Sequence, residues 1–258
     1  MYHPTISLAS GKTGRDDYSE KYRHNIAFHS EWLRRGATQK ADSVQLLMAQ
    51  NDIKPDAILE LGCGTGAVIG ELQRRSLAQE YFGLDFSADA IKLMSETYPR
   101  VKGRVTDITV NPNPFERDAF DLVVLSHTIE HLEEPVPFLR SVSSIPFQGM
   151  IAEVPLEDLL FGRLKSRVND RAKNSAGHVQ FFTRESFKAL LAEAGFKVID
   201  ERIYSPVFDR ATINFAYRRQ GLLKWAYKML TERYLPLSLG SIWRNLYHAH
   251  YAVLCEKR

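Results

Sequence analysis

Ile58-Leu59-Glu60-Leu61-Gly62-Cys63-Gly64-Thr65-Gly66 is the stretch that decides the fold. A short apolar run breaks into three glycines spaced by single residues, which reads as a buried strand, a tight turn and a helix start. Glycine lets the backbone approach a ligand closely, and a helix N-terminus offers unpaired N–H groups. Gly62, Gly64 and Ala67 also satisfy the dinucleotide fingerprint, so the turn alone does not name its ligand. Its surroundings narrow the choice. A long segment precedes the strand, which opens only at Ala57. Glu60 stands just ahead of Gly62, and a further glycine sits at 66. Asp85 follows at the end of the next apolar run. A carboxylate at that spacing can accept both hydroxyls of a ribose.

Outward from this turn the chain alternates short apolar runs with amphipathic stretches. Strands are expected at 57–61, 81–86, 104–108, 120–125, 150–154, 197–204 and 250–256. Helices are expected at 38–50, 65–75, 88–98, 137–142 and 184–194, the last stopped by Gly195. Residues 122–125 are continuously apolar, the mark of a strand buried on both faces. Strand–helix alternation of this kind predicts an α/β fold: a doubly wound, Rossmann-like sheet of about seven strands with helices on both faces. Residues 1–50 read as an N-terminal arm and helix, and 51–258 as one domain interrupted by helical insertions at 156–176 and 205–247. Loops of that length are usually functional, and one that follows the fifth strand reaches the crevice at the strand ends.

Composition excludes several classes. The chain has 258 residues, of which 44% are hydrophobic and 25% charged. It can therefore bury a full core and is neither disordered nor fibrous. No apolar run reaches about 18 residues, which argues against a spanning helix. The opening residues, 1–15, lack the apolar segment of a secretory signal. Cys63 and Cys255 are the only cysteines, too few for a disulfide framework, so a reducing cytoplasm is expected. Residues 202–258 carry a net +7 within an overall +3, leaving −4 on the remainder. That asymmetry fits an anionic partner at the C-terminal fifth, or a merely solvated helix face.

Read together, ILELGCGTG, Asp85 and Asp107-Ile108, the segment DLVVLSHTIEHL (121–132) and GHVQFFTRESFKALLAEAGF (177–196) resemble the class I S-adenosylmethionine-dependent methyltransferases, in their small-molecule branch. The resemblance covers the sheet from Ala57 to Phe196 and then the last strand. It implies a mostly parallel sheet with the last strand antiparallel. It also implies that Gly62, Cys63, Gly64 and Gly66 pack on the methionine and ribose of the cofactor, with Glu60 orienting the turn or meeting the methionine amino group. Asp85 would bind the ribose, Phe86, Asp107 and Ile108 the adenine, and Ser126 and His127 would lie near the sulfonium. Tyr18 or Tyr22 is a candidate cap from the arm.

Methyl transfer from a sulfonium is an in-line displacement, so the protein supplies orientation and, for a hydroxyl acceptor, a base or a metal. The candidates are His127, Glu130 and His131, three and four apart on one face of a turn, together with His178. These four resemble the ExxEH…H set of metal-dependent O-methyltransferases that act on small-RNA 3′ ends or in the ubiquinone pathway. His127 replaces the first Glu, which shifts donor chemistry away from Mg2+ toward Zn2+, Mn2+ or Fe2+. The Asn/Asp-Pro-Pro-Tyr/Phe sequence of exocyclic-amine methylation is absent, since 126–129 read Ser-His-Thr-Ile.

The expected function is therefore O-methylation of a small biosynthetic or saccharide acceptor, with a divalent metal a secondary expectation. The alternatives are metal-dependent RNA ribose 2′-O-methylation, N-methylation of a small amine, and a silent cofactor-binding scaffold. Nucleic acid is disfavoured because no RNA-binding module signature occurs. The aromatic and basic segment 208–247 reads as a lid, a homodimer contact or a peripheral membrane contact.

Overall fold

A computed structural model describes residues 14–115, 117, 119–157, 159–166, 177–247 and 249–258, with only the backbone of 14–24 and 165–166. The N-terminal helix α1 (Gly14–Gln50) precedes a seven-stranded sheet made of β1 (Ala57–Leu61), β2 (Glu80–Asp85), β3 (Val101–Val105), β4 (Phe120–Ser126), β5 (Phe147–Leu156), β6 (Phe196–Tyr204) and β7 (Ala249–Lys257). The spatial order is β3-β2-β1-β4-β5-β7-β6. β7 runs antiparallel to both its neighbours and every other pairing is parallel, as expected.

The two faces of the sheet separate by strand periodicity. Leu59 of β1 with Val123 and Leu125 of β4 packs under Phe138 and Leu139 of α4 (Pro135–Ser143) and Phe187 and Leu190 of α6 (Arg184–Glu193). Ile58, Leu122 and Val124 face the other way. They meet Val44 and Leu47 of α1, Val68 and Leu72 of α2 (Ala67–Arg74), and Ile91 and Met94 of α3 (Ala88–Thr97). β1 is buried at all five positions, which is why it reads as a continuous apolar run. β1 and β4 are neighbours, and the connections leaving them diverge to opposite sides. The crevice of a doubly wound sheet lies at that reversal, outside the carboxyl ends of the strands.

Two elements differ from their sequence expectations. The arm is helical from residue 14 onward, broken at Asn25, whose backbone is non-helical (φ −159°, ψ 57°). Phe28 and Trp32, scattered to the eye, are four apart and share a helix face. They stack on Phe215 and Phe208 of the 205–247 insertion at 4.8 and 5.2 Å. β3 spans Val101–Val105 rather than 104–108: it is the sheet edge, with Val101 its one buried residue, so its apolar pattern is weak. Asp107 consequently lies past the strand, in a turn. Its Oδ1 accepts from the Thr109 amide at 3.0 Å and hydroxyl at 2.6 Å.

The first insertion contributes α5 (Leu160–Ser166), and 167–176 lie outside the described residues. The second forms α7 (Arg210–Tyr217), α8 (Leu222–Met229), a π-helical turn, α9 (Leu235–Leu239) and α10 (Ser241–Leu246). It is clamped to α1 by Gln39, whose side-chain amide donates to the Val207 carbonyl and accepts from the Val207 N–H, both at 2.9 Å.

Candidate active site

The turn after β1 is built as its glycines suggest. Gly62, Gly64 and Gly66 have φ of 74°, 54° and 78°. All three lie in the left-handed region that side-chain-bearing residues avoid. The Gly62 and Cys63 amides donate to the Leu84 carbonyl at 2.8 and 2.9 Å, tying the turn to the end of β2. A Cβ on Gly62 would lie 2.7 Å from the Thr128 side chain, and one on Gly66 2.3 Å from Met94. Thus Gly66 serves the packing of α2 on α3, and it does not line the cavity, whereas Gly62, Cys63 and Gly64 do.

Asp85 closes β2 beside this turn, 5% exposed. Its Oδ2 accepts from the Gly64 N–H at 2.8 Å and its Oδ1 from the Ser87 N–H at 2.9 Å. A carboxylate only accepts, the chemistry that a pair of vicinal hydroxyls calls for. Glu60, 2% exposed, accepts from the Ile69 N–H at 2.9 Å and so anchors the first turn of α2 to β1. Burial pushes its pKa up to about 8, against the opposing pull of that hydrogen bond and of Lys40. Phe86, Asp107 and Ile108 line the adjoining wall.

The cavity measures about 1440 Å³. Single drug-sized ligands occupy ~300–1,000 Å³, so this volume has room for more than one such ligand. Beyond the glycine turn its wall is formed by Ser126, His127, His131 and His178, then by Phe28, Trp32, Gln39 and Lys40 of α1, and by residues of the insertion. Tyr18 and Tyr22 have no described side chains.

Past β4, a 3-10 turn (Ile129–His131) carries the predicted chemistry. Its residues do not form one shell. Glu130, His131 and His178 each bring a donor atom within 4.8 Å of the others, while His127 groups instead with Glu153 and His250. Glu130 lies behind the wall, fully buried, its Oε1 3.1 Å from His127 Nδ1 and 4.0 Å from His178 Nε2. Burial would raise its pKa, but His127, His131 and His178 bring it down to about 2. His131 Nδ1 lies 3.0 Å from the Gly177 carbonyl. A carbonyl only accepts, so Nδ1 carries the proton and Nε2 is the basic nitrogen of the neutral ring. His178 Nδ1 is 2.5 Å from Glu157 Oε2, an imidazole–carboxylate dyad, and its ring is 5.0 Å from that of His131.

Sequence reasoning does not single out Lys40, Glu153, Glu157, Tyr204 or His250. The signals are there for three of them. Glu153 interrupts an apolar strand, His250 opens another, and Lys40 stands between Ala37 and Val44 on the apolar face of α1. Burial lowers the Lys40 pKa, opposed by the fields of Glu153, Glu130 and Glu60. Cys63 and Cys255 are packing residues: burial pushes both thiols up, Cys255 to about 12.

A family model described as a methyltransferase domain matches residues 19–201. The chain is 27% identical over 173 residues to the tRNA N(3)-methylcytidine methyltransferase Mettl2 of Drosophila melanogaster, covering 58% of this chain and 53% of that protein. It is 30% identical over 116 residues to the mitochondrial ubiquinone biosynthesis O-methyltransferase of Candida albicans, covering 42% and 35%. The matches thus span about half or less of the length of these relatives. Among solved structures, the plantazolicin methyltransferase BamL, in complex with a triazolic desmethylPZN analog and SAH, superposes with a TM-score of 0.60. That likeness covers 95% of this chain and 94% of that one at 15% identity, and it is one of fold.

Proposed function

Because the chain belongs to the methyltransferase-domain family, with S-adenosylmethionine as its cofactor, we propose that it transfers the cofactor's methyl group to an oxygen of a small biosynthetic or saccharide acceptor. The observation that carries the choice of oxygen is the pair His131 and His178 on the cavity wall. One is fixed in its tautomer by the Gly177 carbonyl and the other is oriented by Glu157. A hydroxyl acceptor needs a base as its oxygen attacks, and a fixed neutral imidazole supplies one.

In this reading Asp85 accepts from the ribose hydroxyls, Phe86, Asp107 and Ile108 surround the adenine, and the Gly62–Gly64 turn lies along the methionine. The Lys40 ammonium suits the methionine carboxylate. The acceptor oxygen attacks the methyl carbon as the sulfur–carbon bond breaks, S-adenosylhomocysteine departs, and the hydroxyl proton passes to His131 Nε2. Orientation supplies the rest, since the sulfonium is already activated.

The test is transfer from methyl-labelled S-adenosylmethionine to a panel of phenols, catechols and hydroxylated saccharides, with amines in parallel. An oxygen-methylated product is expected, and His131→Ala should lower kcat by ~10²–10⁴ while barely changing the KM for the cofactor. Label on amines alone, or full turnover by the variant, would overturn the reading.

One observation favours a second reading. The Glu130 carboxylate oxygens are buried and accept no well-directed hydrogen bond among the described residues. With His131 and His178 they make a donor set that suits a divalent ion. When bound, such an ion would lower the pKa of an acceptor hydroxyl, including a ribose 2′-hydroxyl. Turnover abolished by a chelator and restored by the ion is the result that would favour it.

A further inference from the structure

A second cluster lies where β4, β5 and β6 end and β7 begins. Sheet register assembles it. Tyr204 of β6 is directly opposite His250 of β7, while Glu153 of β5 pairs with Ala252, two residues along β7, and so shares a face with His250. His127 enters from the residue after β4, held at a φ of 55°. A non-glycine residue rarely takes that conformation.

Three donor atoms close a triangle. His127 Nε2 is 3.3 Å from Glu153 Oε1 and 3.2 Å from His250 Nδ1, and His250 Nδ1 is 3.1 Å from the same Glu153 oxygen. Hydrogen bonding cannot satisfy all three edges. With His127 donating to Glu153 and His250 donating to the Tyr204 hydroxyl, the nitrogen–nitrogen edge is still left as a 3.2 Å contact between two N–H groups that no hydrogen bond explains. If one imidazole nitrogen is bare, the single hydrogen of the other must be split between it and the carboxylate. A cation resolves the conflict. An ion slightly above the plane of such a triangle lies roughly 2.0–2.1 Å from every corner, the bond length of zinc to imidazole nitrogen or carboxylate oxygen.

From this geometry we propose that His127 Nε2, His250 Nδ1 and Glu153 Oε1 bind one divalent transition-metal ion of the zinc class, in a site separate from the Glu130, His131 and His178 group. Independent features agree with it. Glu153 is 3% exposed, and its second oxygen, Oε2, has no hydrogen-bond partner among the described residues. The other nitrogen of His127 faces Glu130 at 3.1 Å. Tyr204 lies 2.9 Å from Glu153 Oε1 and 3.1 Å from His250 Nδ1, placed to donate to the ligating carboxylate. Glu130 and Glu153 are both buried, and buried carboxylates call for cations. Two nitrogens and one oxygen select zinc, cobalt or iron over magnesium.

His127, Tyr204 and His250 line the cavity and Glu153 stands behind them. The ion's fourth position therefore opens on the cavity, where an oxygen or nitrogen of the acceptor would occupy it. The site itself does not depend on the choice of oxygen as the methylated atom.

The experiment uses the full chain purified without metal-affinity resin, dialysed against a chelator and titrated with Co2+ alone. One equivalent should produce the intense visible bands of tetrahedral cobalt, and one equivalent of Zn2+ should bleach them. Glu153→Gln and His250→Gln should lose the bands, while His178→Gln keeps them. Tyr204→Phe should keep the bands and weaken binding ~10-fold. Binding of S-adenosylhomocysteine by each variant reports whether it is folded. Should the ligand variants not fold, the wild-type spectrum and the Tyr204→Phe affinity decide. No tetrahedral bands in the wild type would overturn the proposal and leave an imidazolium–carboxylate network. Bands lost in His178→Gln and kept in His250→Gln would overturn it equally, by assigning the ion to the other group.

Discussion

Glu60 is held in the protonated form at neutral pH chiefly by burial, with Lys40 and Asp85 the charged groups facing it. Its folded pKa of about 8 lies above the ordinary value of 4.5. Between those two values the unfolded chain has released a proton that the folded chain keeps, so stability falls as pH rises through the window. Glu60→Gln removes this dependence while its amide oxygen can still accept from the Ile69 N–H. In thermal melts of the cofactor-free chain, the variant should gain on the wild type from pH 5 to pH 8, by about 2–4 °C for each kcal/mol. Parallel curves would contradict the assignment. Residues of this kind are legible in the sequence because they flank glycines at fixed spacing. Glu153 and His250 show in the sequence only as polar residues in apolar strands, since their grouping arises only when β5 and β7, far apart along the chain, pair in register.

At the scale of elements, the helical insertion is coupled to the N-terminal helix through Trp32, which meets Phe208 at 5.2 Å and Tyr217 at 6.1 Å. Trp32→Ala should cost about 2 kcal/mol, below the ~3–5 of a fully buried tryptophan. The loss should be local. Amide exchange across 210–217 should accelerate about tenfold or more while β1 and β4 are unchanged, and uniform exchange in the two proteins would sink the coupling. The central strands are readable because each is apolar at nearly every position. Sequence pattern puts the edge strand β3 too late because one face of it meets solvent. The arm reads as irregular or only partly helical because its aromatic contacts are made with a segment near the other end of the chain.

For the whole molecule, both unusual segments converge on one cavity. α1 supplies Phe28, Trp32 and Lys40, the insertion supplies Tyr217, Lys228 and Trp243, and the sheet supplies the glycine turn and the histidines. In the proposed reading the shared sheet holds the cofactor, and the parts added to it shape the acceptor's side. The basic character of 202–258 gathers on that added layer, with Leu222, Leu223, Leu237 and Ile242 on its exposed surface. Among the described residues no helix is long and apolar enough to cross a membrane. This cavity is proposed to bind S-adenosylmethionine through the glycine turn and Asp85. Calorimetric titration of the cofactor-stripped chain with S-adenosylhomocysteine tests it most directly. Saturable one-to-one binding is expected, weakened about 100-fold in Asp85→Ala by the loss of two hydrogen bonds to a charged acceptor. A wild-type chain that ignores S-adenosylhomocysteine but binds NAD would contradict it.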